Sequence, residues 1–396
     1  MKLLVGTDAH IFKTPDGAYW CTAIYSYDFW KRYMEVFKEI RVAARVKNVS
    51  EYSEKWKRVD GDNVEVYEIP FYQGPIQLIK NYIKIQKSLK RVYEGCDAAI
   101  YRLPSPTAQI IWNKRKKIPT ALEVVYDLSD DIKANTMGMI ASILARIQAK
   151  QLKSACLKAN GVSYVTKNAI QKNFPSRANI NGESKLYFEE YYSTITLNDN
   201  SFGKPRVFSK NNKFTLVLSD VAMNSDRKGE KTLFTVIKAL RDEGLQVYGT
   251  VIGDGSKRLE YENLVKLMGI DKYVEFTGLL SSSDEVRKYL KKSDIFVFPT
   301  AAEGLPRGVL EAMAIGLPVV TSPVGGIPEV ISKEYLAHHS DVESYVRIVK
   351  KLITNPCLME QVSRDNIIIA QQFRNTILQK RRNEFYRKLA ELCKEK

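Results

Sequence analysis

Short apolar runs bounded by glycine, proline or polar clusters recur along the chain, with amphipathic stretches between them. In the first half five of these runs read as strands: KLLVG at 2–6, VEVYEIP at 64–70, AAIYRLP at 98–104, TALEVVYD at 120–127 and GVSYVT at 161–166. In the second half the strands are FTLVLS at 214–219, QVYGTVIG at 246–253, YVEFTG at 273–278, DIFVFP at 294–299 and PVVTS at 318–322. Apolar runs of this length, separated by segments of helical period, predict an α/β protein built on parallel sheets. A polar stretch at 194–212, with Gly203-Lys204-Pro205 at its centre, predicts a linker. The expected division is therefore a first domain at 1–195, a second at 205–372 and a basic amphipathic helix within 373–396. A chain of 396 residues suits two domains better than one core.

The segment 296–331, FVFPTAAEGLPRGVLEAMAIGLPVVTSPVGGIPEVI, is the densest in chemical information. An apolar strand ends at Pro299, a small polar loop carries Glu303, and Pro306 predicts a helix starting near Arg307. Gly316 and Pro318 stop that helix, and PVVTS follows as a second strand. In such a strand–helix–strand unit the loop after the first strand opens at the carboxyl edge of the sheet, where α/β proteins bind ligands and a helix N-terminus attracts anions. Glu311 lies about 7 Å along the helix axis from Pro306 at about 1.5 Å per residue. Two carboxylates so spaced can grip hydroxyls at two places on an extended polar ligand. The bland alternative is a loop glutamate and a solvated helix glutamate.

The E-x7-E spacing of Glu303 and Glu311, with EGLPRGVLEAMAIGLPVV around it and VGGIPEVI after it, resembles retaining glycosyltransferases of the GT-B architecture, in particular family 4 (group 1). Lys228-Gly229, IGDG at 252–255, VEFTG at 274–278 and DIFVFPT at 294–300 extend the resemblance in the family's order over most of 213–331. It implies two Rossmann-like α/β domains facing across a cleft, an acceptor-binding first domain, a donor-binding second domain, and a last helix that returns to the first domain.

The resemblance also implies site residues. Glu303 would contact hydroxyls of the transferred sugar, and Glu311 the ribose hydroxyls of the nucleotide. The main chain around Gly304, Leu305 and Pro306 would line the phosphates, although Pro306 has no N–H to give. Breaking the anomeric bond develops positive charge on the sugar and negative charge on the departing diphosphate. Lys228, between a strand and a helical run, is the candidate for that anion; as an isolated residue it would read as an exposed loop lysine. Relatives carry an arginine just after the preceding strand, where this chain has Ser219-Asp220-Val221, which leaves Arg227 as a substitute. Gly253 and Gly255 would let the backbone turn beside the base, and Gly17 in PDGAY would do the same in a phosphate-facing loop of the first domain. Gly325 and Gly326 read as a turn after PVVTS. Where relatives place a histidine near the end of LEVVYD, this chain has Tyr126 and Asp127; Asp127 either bonds acceptor or donor sugar or caps the next segment. His10 follows the first predicted strand and is an acceptor-side candidate with Tyr126, whereas His338 and His339 read as surface loop residues.

Composition limits the alternatives. The five cysteines (21, 96, 156, 357 and 393) are scattered, with no C-x-x-C pair, and there are only three histidines, which argues against zinc and disulfides and for a reducing compartment. The one D-x-D, Asp60-Gly61-Asp62, reads as a turn, so activity without metal or cofactor is expected. The N-terminal apolar run reaches Asp8 too soon for a signal peptide, and no run approaches the roughly 18 apolar residues of a membrane span. The net charge of +16 is shared between the halves, with no zinc-finger, RRM-like or basic-zipper signature, so nucleic acid is not expected. Basic residues accompany apolar ones at Phe29-Trp30-Lys31-Arg32, at 84–91, at 114–117 and along 137–158, which suits a cytoplasmic protein resting on the anionic inner face of a membrane. The expected partners are a nucleotide sugar, UDP foremost, and a saccharide or lipid-linked acceptor in surface glycan assembly. Two further readings stand beside the transferase: a catalytically silent nucleotide- or glycan-binding subunit, and a sugar-nucleotide 2-epimerase.

Overall fold

The first strand, β1, runs from Lys2 to Lys13, well beyond its apolar start, because it has a partner along its whole length. That partner is β3 (Glu39–Asn48), parallel to it, with the register slipping between Gly6 and His10. The computed structural model describes residues 1–22, 24–129, 132, 139–208 and 213–394. They divide into two units: one made of Met1–Leu128, Met139–Tyr192 and Gln379–Lys396, the other of Ser129–Gly138 and Ser193–Leu378.

The first unit holds a sheet whose parallel strands are ordered β5-β3-β1-β6-β7-β8-β9, with β5 at Val64–Pro70, β6 at Ala98–Leu103, β7 at Thr120–Val124, β8 at Gly161–Tyr164 and β9 at Phe188–Tyr191. A short ribbon, β2 (Tyr19–Cys21) and β4 (Lys57–Arg58), pairs antiparallel with the far end of β1. The helices are α1 (Tyr27–Met34), α2 (Gly74–Ser88), α3 (Pro106–Asn113), α4 (Met139–Lys158) and the short α5 (Ala169–Asn173) and α6 (Arg177–Asn181). Strand β3 escapes the sequence pattern because Arg41, Arg45 and Lys47 interrupt its apolar residues. Arg45 is nevertheless buried, paired with Asp8 at 3.0 Å and donating to the Tyr72 carbonyl oxygen at 2.8 Å.

In the second unit the sheet order is β12-β11-β10-β13-β14, all parallel, with β10 at Lys213–Ala222, β11 at Gln246–Asp254, β12 at Val274–Phe276, β13 at Ile295–Phe298 and β14 at Val319–Thr321. Its helices are α7 (Glu230–Asp242), α8 (Arg258–Leu267), α9 (Ser283–Lys292), α10 (Arg307–Ala314), α11 (Val342–Ile353) and α12 (Pro356–Ala370). The interior strand β13 is apolar and buried at all of its positions, as a parallel strand covered on both faces must be.

The last helix, α13 (Asn375–Lys394), belongs to the first unit from Gln379 onward. Phe385 meets Phe188 edge to face, and the Tyr386 hydroxyl donates to Glu123 at 2.8 Å. Glu123 is the polar centre of this unit: fully buried, ion-paired with Arg102, and accepting also from Tyr33 at 2.9 Å and Tyr192 at 3.1 Å. Burial works against its charge, but Arg102 and the hydroxyl donors outweigh it and hold the carboxyl below its ordinary range.

The same unit corrects the sequence picture at Phe29 and Trp30. Both are buried, and Arg32 stacks over the Phe29 ring at 3.9 Å, so this cluster is core and offers no apolar surface. Among the described residues no helix is long and apolar enough to cross a membrane.

Candidate functional site

The carboxyl edge of the second sheet gathers the candidate residues of that unit. Beyond β10 the chain makes a single turn at Asp226–Lys228 before α7, and this turn lies against the loop that follows β13. The Arg227 carbonyl oxygen accepts from Ala301 N at 2.8 Å and from the Thr300 hydroxyl at 3.2 Å. Thus pinned, Lys228 forms an ion pair with Glu303, both side chains being mostly covered. The Lys228 ammonium also stands 5.2 Å from the centre of the Phe298 ring. Two residues 75 apart in the chain meet here because β10 and β13 are neighbours in the sheet.

The Glu303 loop is held from its other side by the turn after β14. Gly326 N donates to the Gly304 carbonyl oxygen at 2.6 Å. Gly325 has φ +53°, and a Cβ there would strike the carbonyl oxygens of Glu303 and Gly304. Gly325 and Gly326 therefore form a turn, and that turn shapes the Glu303 loop directly. Gly253, at φ +132°, plays the equivalent part at the end of β11, where a Cβ would overlap the Asp220 carbonyl oxygen. Gly255 lies the same way against Met223.

Helix α10 starts at Arg307, with Pro306 as its cap residue. The N–H groups of Gly304 and Leu305, and those of Arg307, Gly308 and Val309 in the first turn, have no acceptor among the described residues. They form a set of unused donors at a helix N-terminus, the arrangement that receives phosphate. Further along this helix Glu311 is half-buried and its carboxylate has no hydrogen-bond or ion-pair partner among the described residues. Burial raises its pKa, with Arg307 and Arg287 acting in the opposite sense. A partly buried carboxylate with vacant acceptor positions is suited to take hydroxyl donors from a ligand. Arg307 lies one turn before Glu311 on the same helix, whereas Arg287, on α9, was not singled out in the sequence because only the fold brings it near Glu311.

A second residue missed in the sequence lies directly behind Lys228. Glu230, the first residue of α7, is fully buried, and neither carboxylate oxygen meets the geometry of a hydrogen bond. Burial, reinforced by the neighbouring Asp220 carboxyl, pushes its pKa up to about 8. Asp220, itself buried, stands at the place where the resemblance led to an expected arginine.

The candidates of the first unit are spread over separate elements. His10 lies within β1 rather than after it, with its ring edge-on to Phe71 at 5.3 Å. Its ring is open to solvent on one side while the other packs; burial of that side and Arg45 lower its pKa against the pull of Asp8. Asp127 is buried and accepts from the Asn173 amide at 2.7 Å, and Tyr126 beside it is half-buried. Gly17, at φ +85°, occupies the tip of the hairpin from β1 to β2, where Gly17 N donates to the Thr14 carbonyl oxygen at 2.9 Å. It is therefore not in a strand-to-helix loop of the kind that cradles phosphate, since the extension of β1 turns that segment into a hairpin. Asp60-Gly61-Asp62 is a turn in which Asp60 accepts from Arg58 at 2.6 Å and from Tyr19 N at 3.0 Å. His338 is exposed and His339 half-buried, in the loop before α11. Among the described residues no cluster of three or more His, Cys, Asp or Glu side chains could hold a metal ion.

The second unit is where comparison with known proteins is most informative. Residues 216–355, which contain Lys228, Glu303 and Glu311, match the family described as "Glycosyl transferases group 1". This stretch of the chain is similar to the glycosyltransferases of that group. Over nearly its whole length the chain is similar to Protein CapJ of Staphylococcus aureus, 26% identical over 373 residues, covering 93% of this chain and 89% of that one. A second similarity is to the amylovoran biosynthesis glycosyltransferase AmsK of Erwinia amylovora, 31% identical over 159 residues, spanning 35% of this chain and 39% of that protein. Among solved structures, sucrose-phosphate synthase (tll1590) from Thermosynechococcus elongatus superposes with a TM-score of 0.71 at 16% identity, over 99% of both chains. Anabaena Alr3699/HepE, solved in complex with UDP and glucose, gives 0.65 at 16% identity over 97% of this chain and 98% of that one. At such identities these likenesses establish the α/β fold class of GT-B glycosyltransferases.

Proposed function

We propose that this protein is a retaining, metal-independent glycosyltransferase that moves a hexosyl group from a UDP-sugar to a saccharide or lipid-linked saccharide acceptor in surface polysaccharide assembly. The observation that carries the reading is the convergence on one loop edge of the second unit of Lys228, Glu303, Glu311 and the N–H groups at the start of α10, the last two without partners among the described residues. In this reading the diphosphate lies against the α10 N-terminus and Lys228, which carry the negative charge that grows as the anomeric bond breaks. Glu303 orients hydroxyls of the sugar, and Glu311 accepts from the ribose. The ion pair keeps Lys228 and Glu303 in register for these two parts of the donor. Asp127, Tyr126 and His10 are proposed for the acceptor side. The neighbour solved with UDP and glucose and the relative named for amylovoran biosynthesis support the donor and the product class.

A second reading, a silent nucleotide-binding subunit, is favoured by one feature: Asp220 stands where an arginine would complete the phosphate contact. The test is binding and turnover of UDP-, GDP- and ADP-sugars in EDTA, followed by NMR, for the wild type and Glu311→Ala. We expect selective binding of a UDP-sugar with slow hydrolysis, and about ten- to a hundredfold weaker binding in the variant, the effect of losing hydrogen bonds to a charged group. Binding without hydrolysis and without transfer to any acceptor would favour the silent subunit. Binding indifferent to Glu311 would overturn the donor-site assignment.

A further inference from the structure

Helix α2 is apolar on two opposite sides. Ile85 is fully buried and anchors the helix to the first unit. Ile76 precedes it by nine residues, two and a half helical turns, and so projects to the opposite side. Ile76, Ile79 and Ile83 are 69%, 73% and 69% exposed and form one row at spacings of three and four. Tyr82 flanks the row on one side and Lys80, Lys84 and Lys87, all exposed, flank it on the other. Scattered single apolar residues on a surface are ordinary, but a contiguous row of isoleucines at the solvent pole of a helix marks an interaction surface.

The charge around the row identifies its partner. No Asp or Glu occurs between Glu68 and Glu94, while Lys80, Lys84, Lys87, Lys90 and Arg91 all fall in that interval. Helix α4 repeats the composition: no acidic residue between Asp131 and Glu183, exposed Ile143, Leu144 and Ile147, and exposed Arg146 and Lys150 beside them. Helix α2 starts four residues after β5 ends, which puts its first turns, with Ile76 and Ile79, at the carboxyl edge of the first sheet. Helix α4 ends three residues before β8 begins and runs back about 30 Å, at about 1.5 Å per residue, toward the same edge. A second copy of this chain would bring like charges together along such a surface, whereas an anionic bilayer satisfies the apolar row and the lysines at once.

We infer that the outer face of α2, Ile76, Ile79 and Ile83 with Lys80, Lys84 and Lys87, docks the first unit onto an anionic phospholipid surface, with the exposed Ile143, Leu144 and Ile147 of α4 as a second contact. The isoleucines enter the acyl boundary and the lysines meet the headgroups. The inference does not depend on the donor-site reading, because all these residues belong to the first unit.

The test is co-sedimentation of the full chain with vesicles of phosphatidylcholine alone and of phosphatidylcholine mixed with phosphatidylglycerol, at low and physiological salt, with UDP-sugar binding measured in parallel. The wild type is expected on the mixed vesicles and not on the neutral ones, with binding reduced by salt. The triple variant Ile76→Ser/Ile79→Ser/Ile83→Ser should lose about tenfold or more in vesicle affinity, since its apolar insertion is gone. Lys80→Glu/Lys84→Glu/Lys87→Glu should not bind, and a single Ile79→Lys should fall between. Because the positions are exposed, melting and donor binding should match the wild type. Indifference of the wild type to anionic vesicles, unchanged binding by either triple variant, or a solution dimer that the isoleucine variant dissolves would each overturn the inference.

Discussion

Replacing Glu230 with glutamine tests whether the second unit buries a neutral acid beside Lys228. In the folded chain burial and Asp220 raise this carboxyl from 4.5 to about 8. The folded state therefore holds a proton that the unfolded state gives up, and stability falls as pH rises from the unfolded to the folded value. At about 1.36 kcal/mol per unit, the loss between pH 5 and pH 8 is about 3 kcal/mol. Glutamine keeps the shape of the neutral acid and cannot ionise. Glu230→Gln should thus lie close to the parent at pH 5 and be more stable by about 3 kcal/mol at pH 8, or roughly 6–12 °C in Tm for a domain of this size. The assay is differential scanning calorimetry of the full chain and the variant across that pH range. Reading the difference between the two at each pH cancels the titrations that do not involve Glu230, and leaves those of Glu230 and its neighbour Asp220. A difference that stays flat with pH would refute the buried neutral acid, as would a variant less stable than the parent at pH 8.

Two further predictions address other parts of the chain. Lys228→Ala removes the cation facing the proposed leaving group and leaves Glu303 without its partner; kcat/KM with the identified donor should fall by about 10²- to 10³-fold, and a loss under threefold would remove Lys228 from the proposed chemistry. Glu123→Ala leaves Arg102 buried without its counter-ion and should cost about 3–5 kcal/mol, whereas Tyr386→Phe deletes one of three hydroxyl donors and should cost about 1 kcal/mol in denaturant unfolding; equal effects would mean the network is not centred on Glu123.

The strands of the second unit were legible because each is built on a short, mostly apolar and β-branched run bounded by turn or polar residues, unbroken in β13. The start of α10 was legible for a similarly local reason, the Gly-Leu-Pro sequence before an amphipathic stretch. Strand β3 was not, because charges within it look like a solvated helix face until Arg45 is seen paired with Asp8. The segment after the first predicted strand also misled: His10 and Gly17 were expected in a loop, but pairing with β3 and β2 continues β1 past Gly6 and closes a hairpin around Gly17. Nothing local records that pairing.

What the sequence alone determined, then, is whatever rests on local chemistry and periodicity: the α/β class, the strand–helix–strand unit around Glu303 and Glu311, and the basic excess. Tertiary structure decided which side chains meet and which are buried. Lys228 finds Glu303 only because β10 and β13 lie side by side, and Phe29 and Trp30 become core although they neighbour lysine and arginine. Glu230 reads in the sequence as an ordinary acid in the first turn of a helix, where solvent and the helix dipole would keep it charged. The fold removes the solvent, and desolvation then outweighs the dipole, because burying a charge without a partner costs more than a helix terminus returns.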